Sequence, residues 1–335
     1  MKSLLELSLN EIEQAITEAG LPRFVADQVI QWVYKKQTID FDAMNNIAKP
    51  NREKLASMFS IPVWQQFEIK SSTDNRAKKY VITLLDGEKI EAVLLREKDY
   101  NTLCISSQVG CALKCQFCFT GTLGLKRNLS SAEIIAQILI AGIDKEPVSN
   151  IVFMGMGEPL LNYDAVVSAI HLINDPKGFE IGKRRITIST CGILDGIERL
   201  SKEGIVLNIA FSVGHPDPLK RRQLMPVETK NPIIQVARAL KAYQSQHNRK
   251  LTLEYTLLQG KNDLEGDIAE LINLAKYLNS KINLIAFNPF PGTSFKPVAT
   301  QNLNLIKERI VQSKVDVTIR FRKGSDIGAA CGQLG

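Results

Sequence analysis

The sequence predicts an α/β fold: a partial six-strand (βα)6 barrel, preceded by a small helical domain and a short antiparallel β segment. Three observations lead there. From about residue 101 strand-like and helical runs alternate, and six βα units in succession imply a parallel sheet flanked by helices. The stretch that carries them is roughly 190 residues, short for an eight-unit barrel, which typically needs about 250. Hydrophobic residues make up 44% of the 335 and charged residues 23%, ordinary proportions for a water-soluble chain with a real core.

Residues 1–62 read as short helices. Leu9-Asn10-Glu11 opens one, and Phe24, Val25, Val29, Ile30, Trp32 and Val33 recur at helical spacing in the next. Lys49-Pro50-Asn51 breaks that segment, and a further helix runs to Phe59. Residues 63–100 change character. Lys79–Leu85 and Ile90–Leu95 are strand-like, and Asp86-Gly87 between them is a hairpin signal. A small antiparallel sheet or linker is expected there. In 101–320 the strand-like runs are Thr102–Ser106, Asn150–Phe153, Arg185–Ser189, Val206–Ser212, Leu251–Leu257 and Lys281–Phe287. Helical stretches between them include Ala132–Ile143, Asp164–Ile173, Pro232–Tyr243 and Leu264–Leu278. Val315–Phe321 offers one more strand, and residues 321–335 form a small, Gly-rich tail expected to be flexible.

Several classes are excluded by composition. No run approaches the ~18–20 apolar residues of a membrane span. The opening residues carry Glu6, Glu11 and Glu13 where a signal peptide would have its apolar segment. A cytoplasmic location is expected, where thiols stay reduced. Three of the six cysteines fall within eight residues, which argues for metal or redox chemistry over a disulfide scaffold. The net charge of +7 favours a polyanionic partner.

Cys111, Cys115 and Cys118 lie on a loop after the first strand of the βα series, where catalytic loops of such folds sit. Three thiolates this close can converge on one metal centre. A structural zinc site wants four ligands, commonly as two distant pairs, but there is no second Cys-x-x-Cys pair and His171, His215 and His247 are isolated. An iron–sulfur cube held by three cysteines instead leaves one iron free for a substrate. Cys-x-x-x-Cys-x-x-Cys in this place resembles the radical S-adenosylmethionine (SAM) superfamily. The resemblance implies a 4Fe-4S cluster on Cys111, Cys115 and Cys118, whose open iron binds SAM and cleaves it reductively to a 5′-deoxyadenosyl radical.

Further motifs fall at the ends of later strands. Phe153-Met154-Gly155-Met156-Gly157-Glu158-Pro159 follows the second; its glycines allow close backbone approach to a ligand, and Glu158 can accept hydrogen bonds from an ammonium. Ser189, Ser212 and Asn288 place short polar side chains at the ends of the third, fourth and sixth strands. Any one of these could be an ordinary turn residue; together they read as a ligand strip. The resemblance implies SAM contacts at Gly157, Glu158, Ser189, Ser212, Val213, Gly214 and Asn288. Where the family carries Ser-Leu-His, this chain has Ser212-Val213-Gly214-His215, and His215 is left out of the set.

Taken alone, Cys331 is a cysteine in a Gly-rich tail, Cys104 a core thiol and Glu91 a solvated strand residue. In combination they resemble the RlmN/Cfr family of radical SAM RNA (adenine) methyltransferases. Carrying that resemblance are Gly87–Val93, Ser106–Cys111, Phe153–Pro159, Leu224-Met225-Pro226-Val227, Asn288-Pro289-Phe290 and Ala329–Leu334. It implies that Cys331 takes a methyl group from one SAM, and that a second SAM gives the radical that abstracts hydrogen from that methyl. The methylene then adds to adenine carbon 2 or carbon 8. Cys104 forms a disulfide with Cys331 to release the product, and Glu91 accepts a proton. The implied substrate is RNA (23S rRNA, possibly tRNA), with an external electron donor such as flavodoxin or ferredoxin. The same reading makes residues 1–62 an RNA-contacting accessory domain and the protein a monomer. Lys78-Lys79, Lys126-Arg127, Lys183-Arg184-Arg185, Lys220-Arg221-Arg222 and Arg320-Phe321-Arg322-Lys323 are then expected phosphate contacts. Cys191 is expected to be structural. A radical SAM enzyme with a non-RNA substrate, and a non-catalytic zinc-stabilised RNA-binding protein, are the competing readings.

Overall fold

A computed structural model describes residues 2–320 and 323–335. In the N-terminal part, α1 (Leu9–Glu18) starts at a capping box in which Ser8 and Glu11 satisfy each other's backbone N–H groups. α2 (Arg23–Ile30) runs on through a π-helical turn, Gln31–Lys35, so Val33 and Tyr34 continue its buried face while Trp32 is half-buried. Pro50 does not only break the preceding segment; it occupies the first turn of α3 (Lys49–Met58), where its missing N–H costs nothing. Strands β1 (Lys2–Ser3) and β2 (Phe59–Ser60) pair in parallel and bring the two ends of this unit together. The unit is docked firmly: Lys35 pairs with Glu180 and Lys177 with Asp27, and its buried residues join the same core as the rest of the chain.

β3 (Trp64–Ser71), β4 (Ala77–Leu84) and β5 (Lys89–Arg96) form an antiparallel meander. It is not a sheet apart. β5 pairs antiparallel with β6 (Asn101–Cys104), which pairs in parallel with β9 (Asn150–Phe153), so the meander extends the main sheet. Between these two, β7 (Gln108–Gly110) and β8 (Leu125–Asn128) form a separate antiparallel pair, with the short helix α4 (Phe119–Leu123) in the connection. The main sheet continues through β10 (Ile186–Thr190), β11 (Asn208–Ser212), β12 (Thr252–Leu257), β13 (Lys281–Ala286) and β14 (Val317–Arg320), all parallel. Its order, β14-β13-β12-β11-β10-β9-β6-β5-β4-β3, leaves both edges unpaired with each other. The barrel is therefore open, as expected, with β14 as the additional parallel strand.

The crossovers carry α5 (Ser131–Ile143), α6 (Tyr163–Asn174), α7 (Leu194–Lys202), α8 (Pro218–Leu224), α9 (Ile233–His247), α10 (Glu265–Tyr277) and α11 (Thr300–Gln312). α5 is buried along nine of its residues, including Gln137, because the sheet covers one face and the N-terminal unit the other. This explains its near-continuous apolar sequence. β3 was not picked out: only Phe67 and Ile69 alternate with polar neighbours, and after Trp64 none of its residues is fully buried, as suits an exposed edge strand. Among the described residues, no helix is long and apolar enough to cross a membrane.

Candidate active site

The cysteine loop is strapped at both ends. Cys111 donates its N–H to Gly124 O, and Cys118 to Cys115 O. Gly110 is required where it stands: it has φ +78°, and a Cβ there would meet Gly124 O at 1.8 Å. The loop faces the carboxyl ends of the parallel strands. Cys111, Cys115 and Cys118 line one cavity of about 160 Å³ with Gly157, Glu158, Ser189, Ser212 and Cys331 among its other walls. Burial pushes the Cys111 thiol up to about 12 and raises Cys118, so both are protonated until a metal displaces the proton.

The glycine motif after β9 is held against the start of the cysteine loop. Gly157 has φ +99°, and a Cβ there would lie 2.5 Å from Gln108 Cβ. Glu158, 2% exposed, donates its N–H to Gln108 Oε1, and its carboxylate accepts from the N–H groups of Cys191 and Leu160. Burial raises its pKa to about 7, against the lowering effect of those bonds. Ser189 Oγ and Ser212 Oγ stand 3.5 Å apart in the same cavity.

A second cavity adjoins the first. Cys331, Arg320, Met154 and Ile285 line both; Cys104 and Asn288 line the second. Asn288 Nδ2 donates to Cys331 O, while its buried Oδ1 has no partner among the described residues. Burial, then the neighbouring Cys331, drive the Cys104 thiol up to about 12. All six cysteines are free thiols, so the expected Cys104–Cys331 disulfide is absent from this state. Arg320 donates from Nη1 to Met154 Sδ, and the adjacent Cys331 raises its pKa further.

Glu91, 6% exposed, lines neither cavity but lies under the tail. Its Oε1 is 3.0 Å from Lys79 Nζ, and its Oε2 accepts from Gly335 N. Val213 and Gly214 stand behind the cavity wall. Val213 O accepts from Arg221 Nε and Gly214 O from Asn262 Nδ2. His215 is fully buried beside Asp267, and its Nδ1 accepts from Asp217 N–H.

Most of the expected phosphate contacts are otherwise engaged. Lys78 is paired with Asp144 and Glu146, Lys79 with Glu91, Lys126 with Glu88, and Arg127 with Asp86 and Glu133. Arg221 is completely buried against Glu228, Lys220 holds Asp267, and Lys323 holds Glu97. Lys183-Arg184-Arg185 is exposed but precedes β10, at the end of the sheet opposite the cysteine loop. Phe321 and Arg322 lie outside the described residues. Three residues passed over as site members prove to line or adjoin it: Lys79 and Arg320, expected as phosphate contacts, and Cys191, whose thiol hydrogen-bonds Cys115. Only the position of Cys191, two residues after Ser189 at a strand end, signalled this in the sequence.

The residues present fit a cluster and SAM. Among the described residues no three His, Cys, Asp or Glu side chains are already gathered as a metal-holding group. Yet three thiols of suitable softness share one wall, opposite a positive-φ glycine, two serine hydroxyls and a buried carboxylate. The orphaned Asn288 Oδ1 is an acceptor for which a ligand donor would account.

Known proteins share this arrangement. Residues 105–275 match the radical SAM superfamily, and residues 2–61 match the ribosomal RNA large subunit methyltransferase N-terminal domain. A probable dual-specificity RNA methyltransferase RlmN of Thermotoga sp. (strain RQ2) is 42% identical over 335 residues, covering 100% of this chain and 97% of that one. The chain belongs to the RlmN family. The RlmN protein of Thermotoga maritima is 41% identical with the same coverage. The crystal structure of a radical SAM methyltransferase from Sphaerobacter thermophilus superposes with a TM-score of 0.95 at 35% identity, over 100% of this chain and 99% of that one. The open parallel sheet described above is thus the radical SAM fold, and the meander and helical unit are shared by a full-length RlmN-type architecture.

Proposed function

We propose that this protein is a radical SAM methyltransferase that methylates a ring carbon of adenosine in 23S rRNA and in tRNA. One observation carries the reading: Cys331 stands on the wall between the cavity of the three loop cysteines and the cavity of Cys104. The dual-specificity RNA methyltransferases to which the chain is 41–42% identical support the RNA substrates. The basic clusters add little, since most of them are paired internally.

In this reading Cys111, Cys115 and Cys118 hold a 4Fe-4S cluster, and Gly157, Glu158, Ser189, Ser212 and Asn288 hold SAM. When bound, cluster and SAM supply one-electron chemistry and the methyl group, which a non-nucleophilic adenine carbon requires. Cys331 carries that methyl group to the base on a Gly-flanked tail. Glu91 would take the ring proton from the adduct that joins Cys331 to the base, and the adduct would return one electron to the bound cofactor, so that the ring regains its aromaticity. Cys104 then attacks Cys331 Sγ as thiolate: an S–S bond forms, the S–C bond to the product breaks, and the electron pair left on the product carbon takes up a proton to complete the methyl group. An external dithiol returns the disulfide to two thiols, and an electron donor of the flavodoxin or ferredoxin class supplies the single electrons. The buried Cys104 thiol needs a base or a change of surroundings to ionise, so this step follows a movement of the tail.

The test is anaerobic reconstitution with iron, sulfide, SAM and reductant, followed by mass spectrometry of an rRNA fragment and a tRNA. Methyladenosine is expected in both, and its fragmentation separates carbon 2 from carbon 8. Cys331→Ala is expected to abolish methylation while SAM cleavage continues. Absence of iron–sulfur absorption and of 5′-deoxyadenosine from the reconstituted protein overturns the reading.

A further inference from the structure

Lys79 is a buried cation that the reaction outlined above does not use. It lies on β4, an antiparallel strand whose Val81 is paired with Glu91 of β5. Lys79 and Glu91 are therefore diagonal neighbours on one face, within reach of a long side chain. Lys79 is 7% exposed and Glu91 6%, and their charged ends are 3.0 Å apart. A lysine this deep is uncommon without a purpose for the charge.

Both partners also hold the tail, on either side of Cys331. Lys79 Nζ donates to Gly328 O at 3.2 Å, three residues before the thiol. Glu91 Oε2 accepts from Gly335 N at 3.1 Å, four residues after it. Gly328 sits at φ +62°, so the chain turns at the point where Lys79 grips it. Between the two grips Phe119 N donates to Gly332 O, Thr120 Oγ1 to Leu334 O and Asn288 Nδ2 to Cys331 O. The segment bearing Cys331 is a loop whose two ends are tied to one ion pair.

We propose that Lys79 is a positioning residue: it ties the segment before Cys331 to Glu91 and so sets how far the thiol travels between its two cavities. The link rests on the proposed roles of Cys331 and Glu91, but its structural half does not. When the Lys79–Gly328 bond is made, Cys331 is held at the wall shared with the three loop cysteines. When it opens, the loop swings on Gly328 toward Cys104 while Lys79 stays on the carboxylate.

The experiment uses the full-length reconstituted enzyme and reads the alkylation rate of Cys331 by iodoacetamide, resolved from the other cysteines by peptide mass spectrometry. Lys79→Met is expected to raise that rate about tenfold, and Lys79→Arg, which keeps the donors, to stay within about twofold of the parent. Lys79→Met leaves Glu91 buried without its partner; should it fail to fold, the double variant Lys79→Met/Glu91→Gln removes both charges and is expected to show the same tenfold rise. Equal alkylation rates in parent and either Met variant overturn the proposal. With RNA, Lys79→Met is expected to keep SAM cleavage but to form less methylated RNA per SAM cleaved, without accumulating a covalent protein–RNA adduct. If the parent forms no methylated RNA, the reading of function fails while the alkylation result still decides the role of Lys79.

Discussion

Arg221→Met would test how the floor of the site is built. The Arg221 side chain has no solvent exposure, and its guanidinium makes an ion pair with Glu228, itself 2% exposed. It also donates to Val213 O at 2.9 Å and Cys191 O at 2.7 Å. Methionine fills much of the volume but leaves Glu228 as an unpaired buried charge, which costs about 3–5 kcal/mol. Val213 O keeps the N–H of His215, but Cys191 O loses its donor, which adds about 1 kcal/mol and brings the total to about 4–6 kcal/mol. At about 2 °C per kcal/mol for a large domain, the melting midpoint should fall by roughly 8–12 °C. The assay is thermal unfolding followed by circular dichroism. Glu228→Gln in the Arg221→Met background should recover part of the loss, because Ile233 N still finds an acceptor at that position. A midpoint for Arg221→Met within 2 °C of the parent would refute the argument, as would a double variant less stable than the single one.

Three further outcomes follow from the geometry. Glu158 has a folded pKa raised to about 7 from 4.5, so the native state binds a proton that the unfolded chain has lost. Stability from this residue is therefore full below about pH 4.5 and declines to about 3 kcal/mol lower by pH 7, at 1.36 kcal/mol per unit; urea midpoints of the cluster-free protein across that range should fall more steeply than those of Glu158→Gln. Gly110→Ala forces a Cβ onto Gly124 O at a φ that L residues avoid, and the iron content of the reconstituted protein should drop below half of the parent's. Lys183→Ala/Arg184→Ala/Arg185→Ala removes three exposed cations at the far end of the sheet, and filter binding should show RNA affinity and its salt dependence unchanged.

Much of this molecule could be read before it was seen, for identifiable reasons. Parallel strands buried on both faces leave short apolar runs, so β9 was delimited to the residue and β12 and β13 to within one. The cysteine loop and the glycine motif were legible because their chemistry demands particular residues at fixed spacing. β3 was not, since an exposed edge strand needs few apolar residues and only Phe67 and Ile69 mark its one apolar face. The basic clusters misled for the opposite reason. A run such as Lys220-Arg221-Arg222 looks like one surface feature, but consecutive helical side chains point in different directions, and Arg221 turns wholly inward. Likewise Lys79 reads as half of a cationic pair until the strand register sets it diagonal to Glu91.

That register has a consequence for how such a site can change. Glu91 and Cys104 are anchored in neighbouring strands of one ladder, with Val93 opposite Cys104, whereas Cys331 hangs on a loop. The fixed stations are thus spaced by backbone hydrogen bonds, and their separation is indifferent to side-chain substitution around them. It is sensitive instead to turn length. One residue inserted between Leu84 and Glu88, which are bonded across the bend through Leu84 N and Glu88 O, would turn every side chain of β4 over relative to β5. Lys79 would then face away from Glu91, and a change confined to a solvent-exposed bend would have rewired the chemistry.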